Sequence, residues 1–177
     1  MSVWWPMVAA TIRLPKSIAE RLEHEARRLE MSLEEYVLEL ASRDLEPSPE
    51  GRGFVEVVRD LLEQAREELE KGDVRQAAEK TWGAAALAVK AYAWWREGRR
   101  LVSHGDLWAY KRRMEAEIGE WIYSAWAIAH SMHTCFYEGW CGREDVEKAL
   151  REIAKLVGEV ESRIKPQGSG QQRREAS

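Results

Sequence analysis

From Val74 onward the chain returns a small or apolar residue at alternating steps of four and three: Val74, Ala78, Thr81, Ala85, Ala88, Tyr92 and Trp95. An α-helix of 3.6 residues per turn places all seven on one stripe. Ala77, Ala84 and Ala91 line an adjacent groove, and side chains that small let a neighbouring helix approach closely. An isolated helix is marginal in water, so this one requires partners that bury its stripe.

Four further segments supply them. Phe54, Val58, Leu61, Ala65 and Leu69 form one face of a helix over about 54–69. Gly72 can end it in a left-handed conformation, and Asp73 can cap the next helix with Gln76 three places on. After a connection at 98–105 comes a short helix over about 106–118. Then follows one over about 120–137, with Ile122, Ala125, Ala129, Met132 and Phe136 on one face. Gly139 and Gly142 bracket the next turn, and Val146, Leu150, Ile153, Val157, Val160 and Ile164 complete the set. Short connections favour antiparallel neighbours. The expected fold class is all-α: an up-and-down antiparallel helical bundle over 54–164.

The bundle is preceded by a leader at 1–46 and a linker at 47–53, where two Pro and two Gly in seven residues cannot continue a helix. In the leader, Val8, Ala10, Ile12 and Leu14 alternate with Ala9, Thr11 and Arg13, the period of a strand. Pro15 stops it and suits the start of a helix. Ile18, Leu22, Ala26 and Leu29 have helical spacing, and Ser32-Leu33-Glu34-Glu35 reads as a capping box opening a second helix. The polar tail at 165–177 is expected to be mobile.

Composition excludes several classes. With 45% hydrophobic and 33% charged residues, the chain forms a core and is not disordered. No apolar run reaches the ~18 residues of a membrane span, and no basic leader marks a signal peptide, so the expected location is the cytoplasm. A net charge of −4 argues against a protein whose main task is coating nucleic acid. The complete lack of Asn beside abundant Glu and Arg is the pattern of proteins that work hot. Cys135 and Cys141 are by default free thiols, a disulfide being the option in a hyperthermophile. Their spacing matches no zinc motif, and no metal or cofactor is expected.

The run Lys71-Gly72-Asp73-Val74-Arg75-Gln76 through Trp82-Gly83-Ala84-Ala85-Ala86, the pair Ser103-His104 with Leu107, and the segment from His133 to Trp140 carry a family likeness. On them the chain over about 54–164 resembles the archaeal PaREP family, a branch of the HEPN superfamily of nucleotide- and RNA-handling helical bundles. The leader resembles the ribbon-helix-helix module of small DNA-binding repressors. The superfamily likeness implies a homodimer. In its ribonucleases it implies an Arg-x(4–6)-His pair on a late helix, where Arg stabilises charge at phosphate and His moves a proton. Here the late helix offers His130 and His133. The residues five to seven places before His133 are Ile128, Ala127 and Trp126, and those before His130 are Ala125, Ser124 and Tyr123. None is basic.

Three functional readings follow. The first is a non-catalytic HEPN-like binding or interaction protein for a nucleotide, RNA or a protein partner. Its contact surface would be the cluster Arg96, Arg99, Arg100, His104, Lys111, Arg112 and Arg113, whose charges could converge on phosphate, with Trp94, Trp95 and Trp108 available to stack on bases. The second is a metal-independent ribonuclease of toxin type using His130 or His133 with an Arg from elsewhere in the dimer. The third is a DNA-binding regulator, in which Arg13 is the side chain able to read a guanine. The leader holds six basic and ten acidic residues through Glu50, a poor balance for attracting phosphates, so DNA ranks last among these partners. Trp121, Trp126 and Trp140 suit a dimer interface, since a small bundle has limited room to bury every Trp.

Overall fold

The computed structural model describes residues 12–29, 31, 33–44 and 52–164. Among these are seven helices and no strand: α1 Lys16–Arg28, α2 Leu33–Asp44, α3 Arg52–Lys71, α4 Val74–Glu97, α5 His104–Ile118, α6 Trp121–Glu138 and α7 Arg143–Ile164. The expected leader strand is not formed where the chain is described. Ile12, Arg13 and Leu14 are exposed and irregular, and residues 8–11 lie outside the described set. Alternation alone makes no strand, because its N–H and C=O groups need an edge to pair with. The described residues offer none. α1 opens directly after Pro15, whose carbonyl accepts from the Ile18 and Ala19 amides at 2.9 and 3.1 Å. α1 and α2 pack on one another. The capping residue Ser32, linker residues 47–51 and the tail at 165–177 also lie outside the described residues.

α4 is the axis of the bundle. It touches α3, α5, α6 and α7, and contacts between α5 and α6, α6 and α7, and α7 and α3 join those four around it. The single stripe read from the sequence understates its burial. Every residue from Lys80 to Ala93 is buried, on all sides of the helix. Ala84, Ala85, Ala86, Ala88, Ala91 and Ala93 make this possible, since their short side chains let helices close in from several directions at once.

The turns follow their sequence signals. The Asp73 amide donates to Glu68 O at 2.9 Å and the Gly72 amide to Leu69 O at 3.1 Å, with Gly72 at φ +84°. This is a Schellman ending, which uses glycine's freedom at positive φ. The Asp73 carboxylate then accepts from the Gln76 amide at 3.0 Å, as the spacing predicts. Arg143, first residue of α7, donates Nη1 to Leu69 O at 2.7 Å and so ties α7 to the end of α3. Arg59 of α3 donates Nη2 to the Glu161 carboxylate of α7 at 2.9 Å.

Two expectations change here. Cys135 and Cys141 form a disulfide that joins the last turn of α6 to the residue before Gly142, replacing the free thiols read by default. Trp126 is not an interface residue. It is fully buried, with its ring 5.2 Å from that of Trp82 and edge-on to Trp108 at 5.9 Å. Among the described residues no helix is long and apolar enough to cross a membrane.

Candidate functional site

The bundle contains three histidines, and the fold brings all of them to one place. Ser103 caps α5: its hydroxyl accepts from the Asp106 amide at 3.1 Å, while the Asp106 carboxylate accepts from the Val102 amide at 3.1 Å. The Val102 hydrogen bond holds the Asp106 carboxyl below the usual carboxylate range. This fixed start of α5 sets the His104 ring edge-on to Trp82 at 5.2 Å. His130 and His133 stand one turn apart on α6, at 6.1 and 4.9 Å from the same indole. The His104 and His133 rings are 4.8 Å apart, His104 and His130 6.5 Å, and His130 and His133 6.1 Å. Trp108 packs edge-on to His130 at 5.6 Å, and Tyr137 to His133 at 5.1 Å. All three imidazoles are half-buried, whereas Trp82 beneath them is 2% exposed. Edge-to-face contacts of this kind orient rings as well as stabilise them. No group of three or more His, Cys, Asp or Glu placed to hold a metal occurs among the described residues.

An arginine does reach this end of α6, from a position that spacing along α6 could not reveal. Arg75, in the first turn of α4, donates Nε to Phe136 O at 2.8 Å and Nη2 to Tyr137 O at 3.1 Å. Its guanidinium caps the terminal carbonyls of α6, where a positive charge is favoured.

The outer face of α6 is distinctive. Between Trp121 and Tyr137 the helix carries no Asp, Glu, Lys or Arg, in a chain that is 33% charged. Ser124 and Ala127 are exposed and Ser131 and Thr134 half-buried, in one stripe at helical spacing. The Ser131 hydroxyl donates to Ile128 O at 2.7 Å, and that of Thr134 to His130 O at 3.2 Å. These two hydroxyls therefore already have partners within their own helix. Trp121, Tyr123 and Tyr137 of α6 are 38%, 55% and 49% exposed, and Trp140, just past its carboxyl end, is 53% exposed.

The basic cluster read from the sequence separates into three groups. Arg113 bonds Glu97 at 2.8 Å and Glu117 at 3.0 Å, and Arg96 approaches Glu117 at 3.5 Å, which ties α4 to α5. The Tyr92 hydroxyl donates to Glu117 at 2.9 Å. The Arg113 hydrogen bond lowers the Glu117 carboxyl below its ordinary range, and burial followed by Glu117 raises Tyr92. Burial followed by the Glu97 carboxylate pushes Tyr110 far up. Lys111 turns away from these residues. It is 3% exposed, bonds Glu115 at 2.9 Å and lies against the rings of Tyr123 at 4.3 Å and Trp108 at 5.6 Å. Arg99 and Arg100 lie over Tyr110 and Trp94 at 5.9 and 5.4 Å, and with Arg112 they are exposed. His104 belongs to the histidine cluster instead.

Residues 54–157 match the family model described as the archaeal PaREP1/PaREP8 family. The chain belongs to that family. No curated protein and no solved structure matches it. The PaREP1/PaREP8 match runs from the start of α3 into α7 and so takes in every element of the histidine cluster. Arg13 stands outside it, exposed ahead of α1. Sequence reasoning on this PaREP1/PaREP8 chain missed Trp82 as the centre of the site and Arg75 as the cap of α6. The available signal was the three bundle histidines in a chain with four histidines in all. Nothing along the sequence joins His104 to His133.

Proposed function

We propose that the chain is a non-catalytic, HEPN-like interaction protein that works as a homodimer, with two copies pairing through the outer face of α6. The uncharged stripe of Ser124, Ala127, Ser131 and Thr134 carries this reading. A two-fold pairing sets one patch against itself, so a charge near the axis would meet its own like. This face has none between Trp121 and Tyr137. Its small side chains allow close approach, the Ser131 and Thr134 hydroxyls keep their donor hydrogen bonds on leaving water, and exposed aromatics stand toward both ends of α6. Exposed aromatics are the usual anchors of such contacts. A nucleotide or RNA would be met by Arg99, Arg100 and Arg112 at the α4–α5 end, where Tyr110 and Trp94 support two of the guanidiniums. Sedimentation equilibrium of the wild-type chain and of Ala127→Arg tests the pairing. The wild type is expected to dimerise, and the variant to be monomeric with an unchanged circular dichroism spectrum. A wild-type chain that stays monomeric throughout, or a variant that still dimerises, removes α6 from consideration.

One observation favours a second reading, a metal-independent ribonuclease of toxin type. His104 and His133 are 4.8 Å apart and half-buried, so one imidazole could take a proton while another gives one. An Arg from elsewhere in the dimer would stabilise phosphate charge. This reading requires RNA cleavage in the presence of a chelator, lost in a folded His133→Ala chain. Intact RNA across a broad panel discards it.

A further inference from the structure

We infer that the Cys135–Cys141 disulfide is a redox control on the pairing face of α6, opened by a small dithiol reductant. The inference rests on the α6 pairing proposed above. The bond closes a short ring that contains Tyr137 and Trp140, two exposed aromatics at the carboxyl end of α6. Hydrogen bonds anchor the ends of this turn. Arg75 holds the carbonyls of Phe136 and Tyr137, the Gly139 amide donates to Cys135 O at 2.7 Å, and the Gly142 amide donates to the Asp145 carboxylate at 2.8 Å. The disulfide anchors the part between them, next to Trp140.

The two sulfurs differ in access. Cys135 has no exposed surface, while Cys141 is half-buried in an irregular segment. An attacking thiolate therefore reaches Cys141 first. It forms a mixed disulfide there and releases Cys135 as a thiolate, which takes up a proton. Cys135 remains beside the mixed disulfide and can displace the reagent again. A monothiol is thus expelled. A dithiol closes its own ring instead, leaving Cys141 as a thiol. The balance is one dithiol oxidised to a cyclic disulfide and one protein disulfide reduced to two thiols. With the bond open, the segment around Trp140 is released while α6 stays folded on its core residues. The carboxyl end then loses one of its two aromatic anchors, Trp140, on both copies.

The test uses the full chain in two states, oxidised and treated with dithiothreitol, with reduction verified by titrating two thiols. Amide hydrogen exchange over residues 136–142 and the dimer dissociation constant are measured in each. Reduction is expected to speed exchange at 139–142 and to weaken the dimer about tenfold, or ~1.4 kcal/mol shared between the two copies. β-Mercaptoethanol at equal thiol concentration should do neither. The double variant Cys135→Ser, Cys141→Ser should match the reduced chain. If that variant misfolds, the reduced wild type still decides. Unchanged exchange or an unchanged dissociation constant with two thiols titrated overturns the redox control and leaves the α6 pairing standing. A monomeric oxidised chain overturns both.

Discussion

Trp82 offers the sharpest test of how the histidine cluster is held. Its ring contacts Trp126, His104, His130 and His133, and it is 2% exposed. Its indole N–H is buried with no hydrogen-bond acceptor among the described residues. Trp82→Ala removes the whole ring, and a buried aromatic truncated in this way costs about 3–5 kcal/mol. Trp82→Phe is a different experiment. It deletes two ring carbons and the nitrogen, a loss of about 1.6 kcal/mol at ~0.8 kcal/mol per buried carbon, plus a small cavity. It also deletes an unsatisfied buried donor, whose desolvation costs about 1–3 kcal/mol. The two nearly cancel, so Trp82→Phe should lie within about 1 kcal/mol of the wild type. Urea denaturation followed by circular dichroism measures both variants, with an unchanged slope showing that the unfolded states are comparable. A Trp82→Phe chain destabilised as much as Trp82→Ala would refute the reasoning. It would mean that the indole N–H is engaged in the native protein and that this contact, not the bulk of the ring, organises the cluster.

Three further outcomes are expected. Opening the Cys135–Cys141 ring, which spans six positions, should lower stability by about 2 kcal/mol through the chain entropy it restores to the unfolded state, read from urea midpoints with and without dithiol. Glu117 has a carboxyl lowered first by Arg113, so it contributes stability that is present above its unfolded pKa and is lost as pH falls through its folded pKa; Glu117→Gln should flatten the acid limb of stability against pH, and an unaltered limb would count against the Arg113–Glu117 bond. Reversing Arg99 and Arg100 to Glu should abolish any retention of RNA or nucleotide at low salt, retention that in the wild type falls steeply with ionic strength; retention that survives the reversal moves the contact away from this end.

Much of the fold was legible along the chain. The cap at Asp73, the glycine turns at Gly72 and Gly139, and the apolar stripes of α3 and α7 all stand where local chemistry places them. The leader strand is not formed at Ile12 to Leu14 because pairing is not a local property. Period two at Val8 to Leu14 marks a segment able to join a sheet, and no edge for Ile12 to Leu14 exists among the described residues. Trp126 was misassigned for a similar reason. Helical spacing shows that it borders an apolar face, but whether a border residue is sealed depends on neighbours, here Trp82 and Trp108 from α4 and α5.

The sequence by itself determined the helices, their ends and the kinship of the bundle, because spacing, capping and glycine conformation act within a few residues. Only the tertiary structure decided the site. Around α4 it gathered His104 from α5 with His130 and His133 from α6, and sent Arg75 from α4 to the end of α6. It also joined Arg96 and Arg113 through Glu117 while turning Lys111 toward Tyr123. Each of these partnerships spans separate helices, and their packing around a shared core sets which side chains meet.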